Sequence, residues 1–83
     1  MTKADVVHLE LPIETDDDRP ALEQALLRAR ATELAEVRRN EVRLSAGYGD
    51  ATTRAAMTDE LARARRRWAM LDRLLISIRD AQA

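Results

Sequence analysis

The stretch MTDELARARRRWAMLDRLLISIRD, residues 57–80, decides the fold. Met57, Leu61, Ala64, Trp68, Leu71, Leu75 and Ile78 follow one another at steps of four and three, the spacing that keeps one stripe of a long helix turned towards a packed neighbour. Leu74, Ile76 and Met70 lie beside that stripe and widen the apolar face beyond what one partner helix covers. The same stretch sets Arg63, Arg65, Arg66 and Arg67 within five positions. They are either a binding surface or the wet side of a helix whose other side is buried.

Upstream, SAGYGDATT (45–53) supplies the break. Gly47 can take the left-handed conformation that closes a helix, and Asp50 or a following threonine can cap the next one. The connection is short, which makes its two helices antiparallel neighbours. Helix 1 is expected over about 19–46, the turn over 47–50 and helix 2 over about 51–81, each helix roughly 40 Å long at ~1.5 Å per residue. Leu27, Leu34, Val37 and Leu44 form the apolar row of helix 1; Arg30 and Glu41 interrupt it, and Leu22, Leu26, Ala31, Ala35 and Val42 spread apolar character to its sides. In TDDDRPALEQ (15–24), Asp17 or Asp18 can cap the first amides and Pro20 is tolerated in the first turn.

Residues 1–18 form an acidic arm, with Lys3 against Asp5, Glu10, Glu14, Asp16, Asp17 and Asp18. Within DVVHLELPIE (5–14), Val7, Leu9, Leu11 and Ile13 occupy every second position, so an extended segment over 6–13 gathers them on one face. A strand here needs the edge of another sheet or the same segment of a second subunit, because Pro12 lacks a ladder donor. The alternative is an extended arm that packs its aliphatics on the helices. His8 falls on the opposite face.

The fold class is therefore all-α: an antiparallel, coiled-coil-like hairpin with an N-terminal arm. Two helices bury one stripe each, which seldom offsets the ordering entropy of so short a chain, so a second copy completing a four-helix bundle is expected. Asn40 and Arg38, near the seam of helix 1, are placed to fix register in that dimer. Trp68 is expected as a core anchor of the seam, and Tyr48, in the turn, either as a contact residue or as one packed on the helix ends.

Composition narrows the function. The 83 residues contain no cysteine and one histidine, which leaves no thiolate or histidine metal site and no Ser/His/Asp triad within one chain. No cofactor is implied. The apolar runs are too short to cross a bilayer and the first residues lack the pattern of a signal peptide, so a soluble, cytoplasmic protein is expected. Net charge is −1, yet beyond residue 18 the chain is net basic and every cation is arginine. Arg63 has Asp59 and Glu60 one helical turn behind it, whereas Arg65, Arg66, Arg67, Arg73 and Arg79 have no carboxylate at helical spacing. Their charges must be met by Glu23, Glu33 or Glu36 across the hairpin, by the acidic arm, or by a polyanion. Few aromatics and an acidic total charge argue against nucleic acid.

In outline a long hairpin with a short polar tip resembles the coiled-coil domain of Gre-type transcript-cleavage factors, but AGYGDATTRAAM (46–57) offers Asp50 alone at the turn, beside Arg54. Helical chorismate mutases are similar in size and in arginine content, with Arg28, Arg38 and Arg39 castable in their roles, yet the lysine those enzymes carry after the first helix has no counterpart. Secreted WXG-type hairpins are of similar size, but the turn here reads GYG. No family is adopted. The expected function is a non-enzymatic, homodimeric interaction module whose partner-binding candidates are Val7, Leu9, Leu11 and Ile13 of the arm and Arg65, Arg66, Arg67 and Arg73 of helix 2. The alternative is a nucleic-acid- or transcription-associated coiled coil using those arginines.

Overall fold

A computed structural model describes residues 5–81; residues 1–4 and 82–83, Lys3 among them, lie outside it. The described residues form two α-helices, α1 (Asp18–Ser45) and α2 (Ala51–Ala81), packed against each other as a hairpin, with no strand. The arm over 6–13, expected to be able to pair as a strand, has no regular secondary structure within this single chain. The molecule measures 51 × 32 × 17 Å. Its thinnest dimension is little more than one helix, about 10–12 Å across with its side chains, so the helices form a single layer.

α1 begins one residue earlier than the sequence suggests, and by a different device. Asp17 occupies the N-cap position but its side chain makes no capping bond. Asp18 instead turns its carboxylate back along the chain, accepting the amides of Glu14 (2.8 Å) and Thr15 (3.2 Å) and the hydroxyl of Thr15 (2.9 Å). The Glu14 amide first, then Thr15, holds the Asp18 carboxyl below the usual carboxylate range. The pattern is T-x-x-D, set ahead of the N-cap but related to the capping box, in that the acid three residues on reaches back to the Thr15 amide.

The other end of α1 is closed by Gly47, as its sequence predicts. With φ at +74°, Gly47 lets its amide reach the Leu44 carbonyl (3.2 Å) and the Tyr48 amide reach the Arg43 carbonyl (3.0 Å), the paired bonds of a Schellman turn. Asp50 then caps α2, its carboxylate accepting the Thr53 amide at 2.8 Å. Arg54 binds back across the turn, donating to the carbonyls of Leu44 (3.1 Å) and Tyr48 (3.4 Å).

Between the helices the α2 stripe behaves as its spacing predicts: Met57, Leu61, Ala64 and Leu75 are buried, and Leu71 and Ile78 are half-buried. Ala64 and Leu75 have no exposure at all. The stripe of α1 departs from the expected row. The residues facing α2 are Leu26, Arg30, Glu33, Val37, Asn40 and Leu44, all partly or fully buried and again spaced by four and three. Val37 and Leu44 pack with Leu61 and Ala64, while Leu27 and Leu34 sit one step round the helix and are half-buried on a flank. Arg30 and Glu33 are tolerated because their stems lie on apolar surface while their heads reach Asp72 and Arg67 of α2.

Two other seam residues differ in how far the hairpin covers them. Asn40, 4% exposed, lies inside the hairpin of one chain, where its side-chain amide donates to the Glu36 carbonyl (3.0 Å) and carboxylate (3.3 Å). Trp68 is only half-buried, because its position on the stripe turns the large ring to the flank beside Leu34.

Candidate interaction surface at the open end of the hairpin

The antiparallel arrangement brings the start of α1 beside the end of α2, and the arm enters there. Val7, Leu9, Leu11 and Ile13 line one wall of a groove of about 350 Å³ whose other wall includes Leu22 of α1 and Leu74 and Ile78 of α2. The intervening His8, Glu10 and Pro12 do not line it. Alternation along the arm thus does gather four aliphatics on one side. Their exposure falls from 76% at Val7 to 41% at Ile13, so the arm approaches the helices at its base, where Asp18 holds Glu14 and Thr15, and stands away further out.

The arginines of α2 divide. Arg67 is held by Glu33 across the hairpin (3.0 Å) and by Glu60 on its own helix (2.7 Å), and Glu60 also takes Arg63 (3.1 Å). Arg67 and then Arg63 hold the Glu60 carboxyl below its usual range, and Glu60 followed by Glu33 raises Arg67. Arg65 reaches Glu41 at 3.7 Å. Arg66 and Arg73 are exposed, with no ion pair among the described residues. Glu33 was foreseeable as a cross-hairpin partner; Glu36 pairs with Arg39 on its own helix instead (2.9 Å). Sequence reasoning missed Glu60, seven residues from Arg67, because a guanidinium stem spans two turns when Glu60 and Arg67 lie in one row. It missed Glu41 because that residue was read only as an interruption of an apolar row.

Tyr48 is exposed at the turn, with the Arg43 guanidinium 5.6 Å from its ring centre. Among the described residues no group of three or more His, Cys, Asp or Glu side chains is gathered as a metal site would require, and no helix is long and apolar enough to cross a membrane. What the surface offers is contact: an apolar groove at the open end, a second hollow beside Trp68, and carboxylates already engaged with most of the arginine cluster. No protein-family model, curated protein or solved structure matches the chain.

Proposed function

We propose that the chain is a non-enzymatic interaction module, a homodimeric helical hairpin that binds another protein through the arm and groove at its open end, in an assembly, adaptor or regulatory role. One observation carries this reading: four alternate aliphatics, 41–76% exposed, line one wall of an apolar groove. Apolar surface left in water costs roughly 25 cal/mol per Å². An extended segment or sheet edge of a partner, laid against residues 6–13, covers those side chains and supplies partners for the arm's amides together.

The test compares pull-downs by the full-length chain, by a Leu9→Ser/Leu11→Ser variant and by His8→Ser. Capture by the chain and by His8→Ser, lost in the double variant while helical signal is unchanged, supports the arm as the binding element. Equal capture by all three ends the proposal, as does amide exchange in the arm as fast as in an unfolded peptide with the partner present. The nucleic-acid alternative is weaker, since Arg65 and Arg67 already meet carboxylates and Arg66 and Arg73 are left to carry it. Phosphate binding falls steeply as salt rises, so absence of binding to DNA or RNA at low salt retires it.

A further inference from the structure

Two apolar depressions flank the seam, on opposite sides. The arm groove touches Leu22 and Leu74; the second, a hollow of about 160 Å³, is lined by Leu34, Val37, Arg65 and Trp68. Leu22 and Leu34 are twelve positions apart on α1, and Leu74 and Trp68 six apart on α2. At ~100° per residue each pair is separated by about 120° around its helix, which puts the arm on one flank and the hollow on the other. Leu27 lies seven residues before Leu34 and extends the second flank towards the open end.

We infer that a second copy of this chain covers the flank opposite the arm, with Leu34 and Trp68 at the two-fold axis. This rests on the homodimeric reading above and adds which face makes the contact. Area is the first argument. The chain exposes 6745 Å², against about 5,000 Å² for a folded monomer of its mass. The extended arm contributes to that surplus; on the helices themselves, Leu34 and Trp68 are large apolar side chains that the single chain leaves only half-buried, and a second copy covers them at the ~800 Å² per subunit of a standard interface.

Charge is the second argument. Towards the turn this flank carries a cation on α2 and an anion on α1, Arg65 with Glu41; towards the open end the polarity reverses, with Arg30 on α1 and Asp72 on α2. The hollow lies between the two pairs. A half-turn about an axis lying in this face, either across the helices or along them, lays each cation over an anion of the other copy. A two-fold contact requires a surface to match itself, and this pattern does so. The opposite flank has no such alternation: Glu60, Arg67 and Glu33 form one cluster there.

Sedimentation equilibrium of the full chain tests the assignment. The chain should be a dimer at tens of micromolar, and Leu34→Glu, which buries a charge at the axis, should weaken dimerisation by at least about 100-fold. That variant can also perturb the hairpin, so a second one is needed. Glu41→Arg changes an exposed side chain, leaves the helical signal intact, and places like charges together under either axis; it should weaken the dimer roughly tenfold. Leu9→Ser/Leu11→Ser should leave dimerisation within about twofold. A wild-type monomer at about 100 µM overturns both the homodimer and this inference. A dimer that withstands Leu34→Glu and Glu41→Arg overturns the face assignment alone, and if it dissolves in the arm variant the second copy sits in the arm groove instead.

Discussion

At its turn the hairpin is closed by directed bonds: Gly47 and Tyr48 donate to Leu44 and Arg43, Asp50 caps α2, and Arg54 reaches back to two carbonyls. At its open end the arm meets α1 and α2 around an apolar groove, with Asp18 holding Glu14 and Thr15 at its base. The first arrangement fixes geometry, because each bond accepts one distance and one direction. The second fixes little, since apolar area is indifferent to which apolar surface covers it. A site that exchanges one covering for another belongs where specification is loose, and a turn that sets the register of two helices belongs where it is tight.

The largest expected effect lies beneath the open end itself. Leu75, next to the groove-lining Leu74, is fully buried in the seam, and Leu75→Ala should cost roughly 2–5 kcal/mol in urea unfolding, the range for truncating a core leucine. A cost under about 1 kcal/mol would mean that the looseness of the groove reaches down into the seam. Next comes the turn. Gly47 has φ +74° and nothing within 4 Å of a built Cβ, so Gly47→Ala isolates conformational strain, about 1–2 kcal/mol. Gly49→Ala should cost at least as much, because at φ +85° its Cβ also lies 2.8 Å from the Thr53 Cγ2.

A smaller effect follows pH. The Thr53 backbone amide, the leading cause, holds the Asp50 carboxyl below its ordinary value, as the Glu14 amide does for Asp18. A carboxyl lowered on folding contributes stability that is present above the unfolded value and is lost as pH falls through the folded one. Helical stability should therefore decline below about pH 4. Asp50→Asn should flatten that decline at the turn and Asp18→Asn at the base of the arm; an unchanged acid profile in both would remove these caps from the account. The smallest effect is expected for Arg66→Gln with Arg73→Gln, under about 1 kcal/mol, since both side chains are exposed and neither makes an ion pair among the described residues. A larger loss would mean that this surface is covered.

The seam of α2 was legible because nearly every position on it is apolar, so its period shows without help. The turn was legible because Gly47 and Asp50 have few alternative uses at that spacing. The seam of α1 was misread for a physical reason. Arg30, Glu33 and Asn40 sit on it and look like interruptions, but two of them send their charges sideways to α2 and the third satisfies its amide on the preceding turn. Leucines 27 and 34 then look like the core although they flank it. Alternation in the arm predicted which side chains share a face; one chain's periodicity carries no record of what covers that face.

The closed turn also sets an order in time. Contacts near Gly47 and Asp50 join residues only a few positions apart, whereas those between Leu22 and Leu74 close a loop of some fifty residues, and closing a flexible loop costs about 0.6 kcal/mol more for each doubling of its length. Folding is accordingly expected to start at the turn and zip outward, with the arm the last segment to settle and the first to be released. Under the proposed function, a partner at the open end would meet the stage of the process that has not yet finished. Its binding free energy would enter there as the final step of folding, and the lifetime of the complex would report how often the hairpin frays from that end.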